Sequence, residues 1–255
     1  MNRWRSVFAT PTSPTEADPA VVVVVLGGGQ EAGPRSVDVG AATVVVAADS
    51  GVDAALAWGL RVDHVVGDLD SISAEGLAAA EAAGATVHRH PADKDATDSE
   101  LAIDLALSLL PSSGGALLVL GSGGGRLDHL LADALALARP ALAHVDVAAL
   151  IGPATITVVR PGRPRQITGA VGDLASLLPV HGRARGVTTD GLRWALLDAD
   201  LVPGTTRAVS NELLAPEASV ALAEGVVLVV QPGTLAAPVE PRTTAYDPTP
   251  VDPTP

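Results

Sequence analysis

The sequence predicts an α/β fold, an open and mostly parallel sheet followed by a small antiparallel β-sandwich or barrel, and three features carry that expectation. Over the first 150 residues, short apolar runs alternate with Ala- and Leu-rich stretches of helical length. Near residues 152–165 the segment GPATITVVRPGRPR breaks this pattern. Beyond it, helical stretches become scarce and β-rich segments are punctuated by Gly, Pro and Asp. Alternating strands and helices imply a parallel sheet covered on both faces, whose ligands bind beyond the carboxyl ends of the strands.

The strand candidates are residues 21–26, 43–47, 64–66, 86–88, 117–120 and 145–150, whose continuous apolar character suits strands buried on both sides. Helices are expected over 52–58, 74–83, 98–110 and 127–139. Gly59 and Gly84 stand where C-terminal caps belong. Thr97 and Glu100 have the spacing of a capping box at the start of the third helix. In the second half, β structure is expected over 173–179, 186–196, 206–214 and 219–230. The expected organisation is an N-terminal arm (1–19), an α/β domain (20–152), a β-rich domain (165–238) and a Pro-rich tail (239–255). Both ends have the Pro-, Thr- and Asp-rich composition of disordered segments.

Composition removes several classes of function. The 255 residues suffice for one large or two modest cores, and the 47% hydrophobic content is mostly Ala and Val, with only 2% aromatics. The front apolar run, Val21 to Leu26, falls far short of the roughly 18 to 20 residues that a membrane span needs. No apolar segment follows Arg3 and Arg5, so no secretory signal is expected and a cytoplasmic location is the default. The chain has no cysteine, which excludes disulfides and thiolate metal sites. A formal net charge of −13 argues against a nucleic-acid partner, which requires clustered Lys and Arg.

The acidic residues of the first half follow the expected strands. Asp49-Ser50-Gly51 follows the second strand and Asp68-Leu69-Asp70-Ser71 the third. Carboxylates at i and i+2 of an extended segment project the same way and can share one hard cation such as Mg²⁺. A turn rich in Asp and Ser is the plainer reading of the same residues. Lys94-Asp95-Ala96-Thr97-Asp98 places a cation among carboxylates ahead of a helix. Thr97 and Asp98 are explained by helix capping and the helix dipole, whereas Lys94 suits a phosphate. The run Gly123-Gly124-Gly125-Arg126-Leu127-Asp128-His129 combines free backbone N–H groups, a guanidinium and a helix start, which together suit an anion. It is not a Walker A loop, and a flexible turn with incidental charges is its alternative reading. The early Gly27-Gly28-Gly29 is a weaker signal that a tight turn also explains. In the second half, Trp194 is either a core residue or a stacking platform for an aromatic ring, and Ser210-Asn211 offers neutral hydrogen-bonding groups.

In this order and spacing, the motifs of residues 44–230 resemble those of the thiamine pyrophosphokinase family. The motifs at Asp49, Asp68–Ser71, Lys94–Asp98 and Gly124–His129 resemble its nucleotide and metal site. Gly191-Leu192-Arg193-Trp194-Ala195-Leu196 and Ser210-Asn211 resemble its substrate-binding region. The resemblance implies transfer of the diphosphate of ATP to the hydroxyl of thiamine, giving thiamine diphosphate and AMP. It also implies a homodimer with thiamine bound between subunits, against Trp194, Ser210 and Asn211. The expected Mg²⁺ ligands are Asp68, Asp70 and Asp98. Lys94 and Arg126 would offset developing charge, while Asp49 and Asp128 would contact ATP or orient the hydroxyl. The implied ATP contacts are Ser50, Gly51, Ser71, Lys94, Thr97, Gly124, Gly125, Arg126 and His129. One departure stands out: Asp53 occupies a position where the family commonly has a neutral Asn, and its charge would repel phosphate unless paired. Two other readings are a pyrophosphokinase for another heterocyclic alcohol, of pterin type, and a non-catalytic regulatory or envelope-assembly module with this fold. A substrate panel separates the first; loss of motif residues, which this sequence does not show, would mark the second.

Overall fold

The computed structural model describes residues 20–28, 43–124 and 126–233. Gly29, Gly125, the expected arm at 1–19 and the expected tail at 239–255 lie outside the described residues. The N-terminal half builds strands β1 (Val21–Val25), β2 (Val44–Ala48), β3 (His64–Gly67), β4 (Thr86–Arg89), β5 (Ala116–Gly121) and β6 (Asp146–Ile151). Helices α1 (Gly51–Ala57), α2 (Ala74–Ala82), α3 (Asp98–Leu109) and α4 (Leu127–Ala136) alternate with them. These six strands pair in parallel in the order β6-β5-β1-β2-β3-β4. The chain starts at β1, winds outwards to β4, then returns to the other side of β1 with β5. That reversal opens a crevice at the carboxyl ends of β1 and β5.

The parallel strands are apolar on both faces because both are covered. Val22, Val24, Leu117 and Val119 pack with Ile103 and Ala106 of α3. Val23, Val25, Val45 and Leu118 pack on the opposite face with Val52 and Ala55 of α1 and Ala80 of α2. Each fully buried Val or Leu contributes about 1.5 to 3 kcal/mol of transfer free energy. The cap signals hold: Gly59 and Gly84 adopt positive φ after α1 and α2, and the Gly59 N–H donates to the Leu56 carbonyl at 3.0 Å. Thr97 Oγ1 accepts from the Glu100 N–H at 3.2 Å, but the Glu100 carboxylate turns to Arg139 at 3.5 Å and does not close the capping box.

Residues 152–165, where the sequence changes character, contain strand β7 (Ala154–Val159), paired antiparallel with β6. The break in pattern is thus a change from parallel to antiparallel pairing within one sheet. Strands β8 (Arg165–Thr168), β9 (Leu174–Pro179), β10 (Ala184–Asp190), β11 (Ala199–Leu201), β12 (Asn211–Glu212), β13 (Glu217–Ala221) and β14 (Val227–Gln231) follow. Of these, β14, β9 and β12 extend the large sheet beyond β7, making ten strands among the described residues; β11, β10, β13 and β8 form a second sheet, four-stranded among them. The two layers enclose Val159, Ile167, Leu177, Val187, Leu213, Val220 and Val227 as a sandwich core. The expected strand over 206–214 shrinks to Asn211–Glu212, and 219–230 divides into β13 and β14 around a turn at Gly225.

Candidate active site

The crevice is a cleft of about 800 Å³ at the carboxyl ends of β1, β2, β3 and β5. Asp49, Ser50, Asp68, Ser71, Lys94, Thr97, Asp98, Gly124, Arg126 and His129 all line it. Its apolar wall comes from Leu26, Ile103, Val119, Leu137, Ile151 and Ile156. Gly51 does not line the cleft. A Cβ there would overlap the Val25 carbonyl, so this glycine lets α1 start against β1.

Three carboxylates converge at the mouth. Asp49, Asp68 and Asp70 each offer an oxygen, all within 4.8 Å of one another. Their approach does not depend on an extended segment, as the i, i+2 spacing suggested. Leu69 has a φ of 68°, a left-handed conformation that costs a non-glycine residue about 1 to 2 kcal/mol. This turn brings the Asp70 N–H to 3.2 Å from Asp68 Oδ1. Asp49 is also left-handed, with a φ of 45°. Its Oδ2 accepts a short hydrogen bond from Ser71 Oγ, while its buried Oδ1 has no hydrogen-bond partner among the described residues.

The charges around this cluster are crowded. Asp70 is pushed above the usual carboxylate range, first by the charge of Asp68, then by desolvation and by Asp49. Asp68 is held below that range, chiefly by the Asp70 backbone N–H and also by Lys94. Lys94 Nζ sits 3.3 Å from Asp68 and 3.2 Å from Asp98. Desolvation opposes its charge, but the hydrogen bonds to Asp98 and Asp68 prevail and its pKa is raised. Asp98 therefore lies across the ammonium, outside the three-carboxylate group; it is Asp49 that joins Asp68 and Asp70.

Three oxygen-donor carboxylates, one carrying a buried free oxygen, match the hard-ligand preference of Mg²⁺. Their mutual repulsion is what a divalent cation would relieve.

Arg126 reaches the cleft from the start of α4, but its guanidinium grips Asp128 in bidentate fashion at 3.1 and 2.5 Å. That pair holds the Asp128 carboxyl down at about 2, a poor proton acceptor at neutral pH, and Asp128 itself does not line the cleft. Asp53 is paired and turned away from the cleft: its oxygens accept from the Ser73 N–H at 2.9 Å and from Ser73 Oγ at 2.5 Å. Sequence reasoning overlooked Asp133, which lines the cleft one helical turn after His129. Desolvation raises its pKa. The i, i+4 spacing from His129 on α4 was the available signal. Ser122 was overlooked too; its hydroxyl donates to the Gly28 carbonyl across the cleft floor.

Trp194, Ser210 and Asn211 lie elsewhere. They sit around β12, at the far edge of the large sheet and five strands from β5, roughly 24 Å at about 4.8 Å per strand. Trp194 is 54% exposed and is not a core residue; the Arg193 guanidinium stands 5.4 Å from its ring centre. Asn211 is buried, and its Oδ1 accepts from the Trp194 and Glu212 N–H groups at 3.0 and 2.9 Å. Its Nδ2 donates to the Trp194 carbonyl at 2.9 Å. Ser210 is exposed, with a φ of 56°.

Comparison with known proteins matches both halves of this arrangement. Residues 39–148 match the family model described as thiamin pyrophosphokinase, catalytic domain. Residues 165–227 match the one described as thiamin pyrophosphokinase, vitamin B1 binding domain. A curated relative, the thiamine pyrophosphokinase of Bacillus subtilis, is 25% identical over 189 residues, covering 74% of this chain and 87% of its own. The crystal structure of thiamine pyrophosphokinase from Bacillus subtilis superposes with a TM-score of 0.72 at 24% identity, over 85% of this chain and all of that one. That of thiamin pyrophosphokinase from Geobacillus thermodenitrificans gives 0.66 at 25% identity, over 85% of this chain and 99% of that one. Together the two family models span more than half of the chain, and the chain belongs to the thiamin pyrophosphokinase family.

Proposed function

We propose that this chain transfers the diphosphate of ATP to the hydroxyl of thiamine, releasing AMP and thiamine diphosphate. The observation that carries this reading is the convergence of Asp49, Asp68, Lys94 and Asp98 on one cleft at the sheet's switch point, with Asp70 beside Asp49 and Asp68 at its edge. The match of residues 165–227 to a vitamin B1 binding domain favours thiamine over another heterocyclic alcohol. The presence of every main acidic and basic motif residue favours an enzyme over a binding module.

ATP lies in the cleft, its base towards the apolar wall of Leu26, Ile103 and Ile156 and its phosphates towards Lys94 and the start of α4. Asp49, Asp68 and Asp70 would hold Mg²⁺, while Asp98 helps hold the Lys94 ammonium beside Asp68. Bound there, Mg²⁺ would supply charge neutralisation for the phosphate oxygens. Lys94 stays protonated and stabilises negative charge as the diphosphate moves. Arg126 contacts phosphate by exchanging Asp128 for the incoming anion, since its fork is already filled. Of the two groups considered for orienting the thiamine hydroxyl, Asp128 is taken up by Arg126 and does not line the cleft, which leaves Asp49. Such transfer depends on alignment and electrostatics, so no covalent intermediate is needed.

Thiamine binds against Trp194, with Asn211 holding the Trp194 backbone in place. Because that surface is far from the cleft within one chain, a homodimer brings the Trp194 face of one copy to the cleft of the other. Among the described residues no helix is long and apolar enough to cross a membrane, and a cytoplasmic location is part of the proposal. Measuring AMP from ATP and Mg²⁺ with and without thiamine tests the reaction. Thiamine-dependent AMP with stoichiometric thiamine diphosphate is expected; folded protein that forms no AMP with thiamine would contradict it.

A further inference from the structure

We propose that Asp53 is a positioning residue that holds the Asp68–Ser73 loop in the shape that gathers the three carboxylates. The inference rests on the cation reading given above. Asp53 lies in the first turn of α1, yet its carboxylate leaves that helix and grips Ser73, twenty residues on, through both the backbone N–H and the hydroxyl. Ser73 is also the N-cap of α2, and its Oγ accepts from the Gly76 N–H at 2.9 Å. The charge of Asp53 is therefore placed beside two helix N-termini, where the helix dipoles favour it. That accounts for a carboxylate close to a phosphate site without repulsion as its main effect.

The C-terminal half of the loop is held by two ties. Ser71 is tied to Asp49 on the cleft side, and Ser73 to Asp53 on the other. Two residues before the first of these ties, Leu69 keeps a left-handed conformation that neighbouring contacts must maintain. Releasing Ser73 would remove one of the two ties that follow the Leu69 turn, leaving Ser71 to hold the loop and giving Asp70, the exposed member of the group, room to move away from Asp49 and Asp68. A Cβ on Gly76 would overlap Asp53 Oδ1, so the glycine leaves room for the grip and any larger residue would push the carboxylate aside. Groups that orient metal ligands without touching the metal commonly change metal affinity by about 10- to 100-fold when removed.

The test is direct Mn²⁺ binding to the full-length protein, followed by electron paramagnetic resonance, with Tm and the KM for thiamine recorded in parallel. Asp53→Ala is expected to weaken Mn²⁺ binding about tenfold while leaving the KM for thiamine unchanged. Asp53→Asn is expected to stay close to wild type, because its carbonyl still accepts from the Ser73 N–H and its amide can donate to Ser73 Oγ. Gly76→Ala provides a second route. It favours the helix by intrinsic propensity yet displaces the Asp53 carboxylate, so it too should weaken Mn²⁺ binding. Lower Tm in Asp53→Ala and Gly76→Ala with wild-type Mn²⁺ affinity would reduce Asp53 to a structural staple and overturn the inference. Wild-type protein without any Mn²⁺ binding that Asp70→Asn removes would overturn the cation reading, and this inference with it.

Discussion

At the parallel end of the large sheet, charged groups from four strand ends crowd one cleft, and Asp49 keeps a buried oxygen without a partner among the described residues. At the antiparallel end the arrangement is reversed. The polar groups of Asn211 are used internally, and a large aromatic ring, Trp194, is left facing outward. On the proposed function, the first region takes the charged nucleotide and the second a flat heteroaromatic ring. Neither makes a complete site for a reaction between a nucleotide and a heterocyclic alcohol, so each of them is read as half of one.

Substitutions can break this division of labour. The largest effect is expected from Asp70→Asn, which should lower kcat for AMP formation more than about a hundredfold with Tm nearly unchanged. Asp70 is exposed and its neutralisation relieves repulsion from Asp68, so folding has nothing to lose. Near-normal turnover at saturating Mg²⁺ would remove Asp70 from the cation site. Trp194→Ala should act on the other region alone. Loss of a stacking surface is worth about 0.5 to 1.5 kcal/mol beyond area burial, so the KM for thiamine should rise roughly tenfold while that for ATP holds. A rise in the ATP KM alone would reverse the assignment of the two regions. Asn211→Ala sharpens the same point. It leaves the Trp194 and Glu212 backbone groups without their buried partner, at a cost of about 1 to 3 kcal/mol in urea unfolding. A smaller increase in thiamine KM should accompany it. Unchanged stability would show that water replaces the amide without loss.

The two regions also differ in how far the sequence foretold them. Strands such as Val21–Val25 and Ala116–Gly121 were legible because burial on both faces demands an unbroken apolar run. Helix starts were legible from local chemistry at Thr97. What local chemistry cannot carry is pairing across long separations. Strand β14 inserts between β7 and β9, and that long-range pairing turns an apparent linker into the middle of a sheet. The cleft residues were legible as a set because each follows a strand, and strand ends converge in such folds. Their partners were not. The turn at Leu69, the entry of Asp49 into the carboxylate group and the grip of Asp53 on Ser73 depend on backbone angles and on loops meeting across 20 or more residues. Asp133 was hidden for a related reason, since its place in the cleft depends on how α4 docks rather than on its neighbours in sequence.

The central claim is that the cleft of one copy works with the Trp194 surface of another. Co-expressing Asp70→Asn, nearly inactive, with Trp194→Ala, at about a tenth of wild type at low thiamine, tests it directly. If sites form between copies, half of the dimers are mixed and one site in each mixed dimer is intact, so activity should return to about a quarter of wild type. If both halves of a site come from the same chain, a mixed dimer still contains one defect in every site. Activity no greater than the two variants assayed separately would then contradict the account.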